Sequence, residues 1–426
     1  MRTRLRLSLA ALGCAAALAL PVASAAAFCG FYVAQAGTSL FNQASKVVLV
    51  RDGDRTTITM ANDYQGELTE FAIVIPVPSV LDRDQIDVAE PAVIDHLDAY
   101  TAPRLVEYHD FDPCNIPMPT AAPLLTDSAP QPELRANSLG VTIEAQYTVG
   151  EYDILILSAD ESAGLQLWLS ANGYQVPQRA EPVLRRYLEA GMKFFVARVN
   201  LKQQTSLGFS YLRPLQISFR SPAFMLPIHL GMINAAGPQE LFVFALSRRG
   251  RVETANYPVH ELPAGVGVPL YIEDEFADFY KALFDLQVEN ADMRAVFLEY
   301  AWDMSWCDPC AADPLSDAEL AALGVDWLAG GDGAAPDVHV TRLHLRYTAE
   351  AFPEDLMFRE TDNRENFQGR YILNHPWSGE ATCPEAEAYL DNLPDRFRDE
   401  AENLTRLTGW DFDTIRQRMA QTGQAF

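Results

Sequence analysis

From Lys46 to Val77 apolar and polar residues follow the two-residue period of strands. Val47 to Arg51 and Thr56 to Met60 flank Asp52-Gly53-Asp54, a hairpin signal, and Phe71 to Pro76 follows as a third strand after the turn at Asp63 to Gly66. Glu90-Pro91 opens a short helix through Ala99, with proline at a first-turn position that tolerates it. The most legible block begins with the apolar strand Asp153 to Leu157. Ser158-Ala159-Asp160-Glu161 is a capping-box arrangement, which predicts a helix to Ala171 stopped by Asn172-Gly173. Pro182 starts a second helix whose Val183, Leu184, Tyr187 and Leu188 share one face, and Gly191 ends it. Met192 to Leu201 returns as a strand, so the unit is strand, helix, helix, strand, with two helices packed on one face of a sheet.

Further strands are predicted at Leu215 to Arg220, Ala223 to Leu230 and Leu241 to Ser247, separated by Pro or Gly. Ile272, Phe276, Phe279 and Leu283 recur at helical spacing. Val338 to Tyr347 reads as a strand in which Leu343 and Leu345 alternate with His344 and Arg346. From Pro384 the chain is helical, with Phe397, Ala401, Leu404 and Leu407 on one apolar face. Together these elements predict an α+β fold: a mixed or largely antiparallel sheet, packed helices, the central strand-helix-helix-strand unit and a disulfide-tied helical C-terminal segment. Pro113 to Gly140 holds six prolines and little periodicity. The expected organisation is therefore a strand-rich lobe over 28–114, a Pro-rich loop or linker over 115–140, a central α+β lobe over 141–306 and a cysteine-containing region over 307–426.

The first residues change the compartment. Arg2, Arg4 and Arg6 precede an apolar run from Leu7 to Leu20, and Ala23-Ser24-Ala25 and Ala25-Ala26-Ala27 offer cleavage sites. Residues 1–27 read as a secretory signal, which predicts a periplasmic or secreted protein. No later segment has the run of apolar residues that a membrane span needs, so the mature chain is expected to be soluble. Loss of the signal moves the formal net charge from -26 to about -29. Such acidity disfavours nucleic acids and anionic membrane surfaces as partners. Cys14 leaves with the signal, and five cysteines remain: Cys29, Cys114, Cys307, Cys310 and Cys383.

Several short pieces in one order resemble the bacterial family of exported proteins known as domain of unknown function 2330. They include Phe28-Cys29-Gly30, Phe71-Ala72-Ile73-Val74-Ile75-Pro76-Val77-Pro78, Thr101-Ala102-Pro103-Arg104, Asn172-Gly173-Tyr174 and Leu212-Arg213-Pro214-Leu215. Ala255-Asn256-Tyr257-Pro258, Cys307-Asp308-Pro309-Cys310, Thr341-Arg342-Leu343-His344 and Asn366-Phe367-Gln368-Gly369-Arg370-Tyr371 continue the series. The resemblance implies export and carries no catalytic residues onto these positions.

Cys307-x-x-Cys310 is the sharpest chemical feature, able to close a disulfide, exchange one, or supply half a zinc site. Asp303, Asp308 and Asp313 surround it and would raise a thiol pKa, which favours structural disulfides. The expected pairing joins Cys29 with Cys114, and one of Cys307 or Cys310 with Cys383. No metal site is expected, because His339, His344 and His375 are scattered; His344 reads as a surface or satisfied strand histidine. Asn374-His375-Pro376-Trp377 is a turn that could line a pocket, so His375, Trp377 and Arg370 are the pocket candidates. The acid clusters Glu273-Asp274-Glu275 and Glu360-Thr361-Asp362-Asn363 lack EF-hand spacing. The chain carries no G-x-S-x-G, H-E-x-x-H, G-x-x-x-x-G-K or G-x-G-x-x-G motif, so no catalytic residue or cofactor is assigned. These readings favour a non-enzymatic exported protein, either one that binds an unidentified protein or small molecule or an envelope-associated interaction protein. The rivals are an extracytoplasmic thiol-disulfide oxidoreductase at Cys307 and Cys310 and a cryptic hydrolase. The hydrolase requires a concave pocket where a histidine and carboxylates converge.

Overall fold

The computed structural model describes residues 31–35, 41–65, 71–115, 143–159, 162–172, 174–177, 180–200, 203–204, 206, 212–233, 235, 237–306, 312–328 and 337–426. The strand Phe71–Val77 shows how the sequence builds layers. Ile73, Ile75 and Val77 enter one core while Ala72 and Val74 enter another. A continuous apolar run is what a strand buried on both faces needs. This strand pairs antiparallel with Phe31–Gln35 and Lys193–Val199, in a six-stranded sheet completed by Ile143–Val149, Tyr152–Leu157 and Tyr174–Gln175.

A nine-stranded mixed sheet lies against it. Its spine runs Val296–Asp303, His339–Tyr347, Gln239–Ser247, Phe41–Asp52, Arg55–Gln65 and Leu215–Arg220. Phe41–Asp52 and Arg55–Gln65 form the hairpin expected around Gly53, whose φ of 58° suits glycine. Gln239–Ser247 pairs parallel with Phe41–Asp52, a long-range pairing with no local signal. The same two-faced burial recurs here: Val47 and Leu49 face the core between the sheets, and Val48 and Val50 face the other side. This sheet takes strands from the N-terminal, central and C-terminal thirds of the chain.

Helices close both outer faces, giving four layers. Helices α1 (Pro91–Thr101) and α5 (Asp317–Ala322) cover Val48, Val50, Phe244 and Leu246 of the larger sheet. Helices α2 (Ser162–Ala171) and α3 (Ala180–Glu189) pack Leu165, Leu169, Leu184 and Tyr187 on Ala72 and Val74 of the smaller sheet. Strands Tyr152–Leu157 and Lys193–Val199 flank this helix pair and bond to each other antiparallel, so the strand-helix-helix-strand unit forms as expected. Helix α3 starts at Ala180 rather than Pro182, whose missing N–H costs nothing in the first turn. Gly191 closes it at φ 75°. Asp160 and Glu161 lie outside the described residues.

A further group of helices, α4 (Phe276–Asn290), α6 (Pro384–Thr408) and α7 (Phe412–Gln421), encloses a separate core of Phe279, Leu283, Tyr371, Leu373, Ala401 and Leu404. Ile272 belongs to the 3-10 turn Leu270–Glu273 that precedes α4. The predicted strand Ala223 to Leu230 is reduced to Met225–Leu226. Pro227 lacks the N–H a ladder needs, and the amides of Ile228 and His229 bond to the Asp355 carboxylate at 2.8 and 3.2 Å instead.

The expected cysteine pairing is corrected at its centre: Cys114 bonds Cys383, with Cα atoms 6.0 Å apart. The reason is topological. Arg104–His109 and Arg370–His375 pair in parallel register in a three-stranded sheet with Val266–Gly267, and the chain just beyond each strand carries one cysteine. Cys383 is the residue before α6, so the C-terminal helical segment is disulfide-tied as expected, though through a different partner. Cys29, Cys307 and Cys310 lie outside the described residues.

Candidate functional site

Three clusters of polar or cavity-lining residues differ in what can reach them. The most perturbed is buried. Glu299, wholly inaccessible, accepts hydrogen bonds from Arg342 Nε, His344 and the Tyr280 hydroxyl. Arg342 also reaches the Asp98 carbonyl at 3.0 Å, and Asp98 pairs with Lys46 at 2.7 Å. Burial pushes the Glu299 carboxyl up, but Arg342, His344 and Tyr280 overcome it and hold the pKa at about 2. His344 is buried and partnered, its ring stacked 3.6 Å from Phe284 and 4.0 Å from Phe242. Burial lowers its pKa while Glu299 and Glu240 raise it, and the carboxylates win. A substrate has no way in, so this network holds α1, α4 and the large sheet together. His339, also fully buried, is pushed down to about 4 by burial and by Arg364.

The second cluster borders open space. Where α3 meets the segment after Met225–Leu226 and the end of strand His339–Tyr347, Val183, His229, Met232, Ile233, Ala235 and Thr348 line a cavity of about 410 Å³. A smaller one of about 230 Å³ adjoins it, sharing His229 and bounded by Arg186, Tyr187, Met192 and Asp355. His229 is therefore the polar group common to both. Its position follows from Pro227, which ends the strand, and from Asp355, which anchors the His229 amide and accepts the Tyr187 hydroxyl at 2.9 Å. Its Nε2 has no hydrogen-bond partner among the described residues. Burial lowers the imidazole pKa against the opposing pull of Asp355 and of the backbone at Pro353 and Glu354.

The third cluster lies at the parallel strand ends beside the disulfide. Glu107 and His109 alternate onto one face of their strand, and the register sets His375 opposite His109. His375 Nε2 lies 2.9 Å from Glu107 Oε2, and the two imidazoles stack at 4.3 Å.

Of the pocket candidates, His375 and Trp377 fall at this strand end, where the Trp377 amide donates to the Tyr389 hydroxyl at 2.9 Å. Arg370 starts the same strand, about 16 Å away at strand rise. Three of the clustered acids have structural partners: Glu275 pairs with Arg418, Glu360 accepts from Ser247 at 2.7 Å, and Asp362 pairs with Arg249 at 2.8 Å. His229 was missed in the sequence because its neighbours Pro227 and Leu230 read as an interrupted strand; the proline was the available signal. His109 was missed because only the parallel pairing brings it to His375.

Fold and sites define an α+β protein of two packed sheets with a largely apolar cavity at one end. The chain belongs to the bacterial family described as uncharacterized protein conserved in bacteria (DUF2330), whose model matches residues 22–359. That span contains every residue named for the cavity, whereas His375 and Cys383 lie beyond it. No curated protein and no solved structure matches the chain. No helix among the described residues is long and apolar enough to cross a membrane.

Proposed function

We propose that this chain is an exported, non-enzymatic binding protein that takes a small, largely apolar ligand bearing one hydrogen-bonding group. The observation that carries the reading is the 410 Å³ cavity, lined mostly by aliphatic side chains and a single imidazole with an unpartnered Nε2. That volume falls within the about 300–1,000 Å³ of small-molecule sites, and their usual chemistry is the same: apolar walls with a few orienting polar groups. Burying the Nε2 atom without a partner costs free energy, which a ligand acceptor or donor that reached it from the cavity would recover. Hydrolysis through a side-chain nucleophile would ask for one bonded to that imidazole. Among the described residues Nε2 has no such neighbour. Export is supported by the arginine-led apolar run at residues 1–27, and the Cys114–Cys383 bridge suits an oxidising compartment.

Native mass spectrometry of the mature protein isolated from its own producing cells tests the reading. Wild type is expected to carry a bound small molecule that Val183→Trp, which fills the cavity, lacks. The same adduct on both proteins would place the ligand elsewhere and defeat the assignment.

A further inference from the structure

We infer that Glu107, His109 and His375 form a binding site for a divalent metal of the zinc class, separate from the cavity. One ligating atom from each of the three lies within 4.8 Å of the others. Two imidazoles and one carboxylate are the donor set that holds zinc with a coordination position left open. Imidazole nitrogen also selects against calcium and magnesium, which prefer oxygen.

The placement follows from the sheet. Residues two apart on a strand share a face, so Glu107 and His109 project together, and the parallel register sets His375 beside His109. Donors on a tetrahedral zinc ion lie about 3.3 Å apart, given metal–ligand bonds of about 2.0–2.1 Å. The set must therefore close by about 1.5 Å at its widest. The two rings are stacked with planes 11° apart, and an in-plane lone pair from each reaches a common ion only if the rings turn out of that stack. All three side chains are at least partly exposed, so they are free to turn, and the His375–Glu107 hydrogen bond is replaced rather than lost.

The backbone beneath them is fixed. The Asp110 amide donates to the His375 carbonyl at 3.0 Å. The Asp110 carboxylate receives the Tyr389 hydroxyl at 2.5 Å and Arg396 at 2.6 Å, and Cys114–Cys383 clamps the chain just beyond. Rigid strands under movable side chains keep the ordering cost of chelation small. The acidic molecule, at -26 formal charge, concentrates cations around the site.

Zinc titrated by equilibrium dialysis into the metal-free, disulfide-intact protein is the test, with cobalt absorption as the second readout. One ion per chain is expected, with a dissociation constant in the micromolar range or tighter. His109→Ala and His375→Ala are each expected to weaken binding tenfold or more, and millimolar calcium should not compete. Bound cobalt should show the visible bands of a four- or five-coordinate nitrogen-containing site. His109 is exposed, so His109→Ala reports on chelation even if the His375 variant folds poorly. Val183→Trp should leave zinc binding unchanged, which separates this site from the cavity. Non-saturable uptake, competition by calcium, or full binding by the His109→Ala/His375→Ala double variant would overturn the assignment.

Discussion

Glu299 shows what a single buried charge does in this molecule. Its partners are Arg342 and His344 from one strand and Tyr280 from α4, so removing the charge leaves the buried Arg342 with Asp98 as its remaining carboxylate and takes the Glu299 contact from His344. Breaking a buried pair costs about 3–5 kcal/mol, and Glu299→Gln should lower the thermal midpoint accordingly, measured near neutral pH. The depressed carboxyl contributes stability that is present above its ordinary pKa of 4.5 and is lost as pH falls toward about 2. Glu400 on α6 has the opposite sign. Burial raises it to about 7 despite Arg396, so its contribution is present below 4.5 and is lost as pH rises through 7. Glu400→Gln keeps the neutral shape and the contact to Gln424. It should flatten the decline in stability between pH 5 and 8, with a gain of about 2 kcal/mol at the alkaline end read from melts across that range. Neither role was legible in the sequence. His344 was read as a surface or satisfied strand histidine; it is buried with Nδ1 on Glu299, and its burial between two phenylalanines depends on α4 packing, which alternation along one strand does not reveal.

At the scale of elements, local rules succeeded where the signal is local. The Asp52-Gly53-Asp54 hairpin, the helix opened by Pro91, the paired helices before Gly191 and the C-terminal helix all follow from turn chemistry and periodicity. Strand Val296–Asp303 is buried at seven successive positions, and such a run carries no period by which to recognise it. The disulfide failed for a related reason, since 269 residues separate its cysteines and only the parallel pairing of Arg104–His109 with Arg370–His375 brings them together. That bridge constrains a long loop and fastens α6. Cys383→Ser should therefore cost about 2–5 kcal/mol, seen as an earlier thermal transition and faster proteolysis after residue 375 in the oxidised protein.

The two large sheets share one core, with helices on their outer faces and a separate core under α4, α6 and α7, and the cavity opens where α3 meets the larger sheet's connections. The α+β class was readable from the order of elements. The cavity was not, because it depends on gaps between surfaces that are each locally well formed. Its walls include Val183, which the sequence placed on an amphipathic helix face, and Ile233, which packs in the same core. The helix face is apolar enough to serve a core, and the structure leaves part of it facing open space. The measurement that tests the account most directly is a fluorescence titration with 1-anilinonaphthalene-8-sulfonate, comparing wild type with a folded Val183→Trp variant. Saturable emission at one probe per chain in wild type, abolished in Val183→Trp at unchanged melting temperature, is the predicted result. Equal emission from both proteins, or none from wild type, would contradict a ligand cavity at His229.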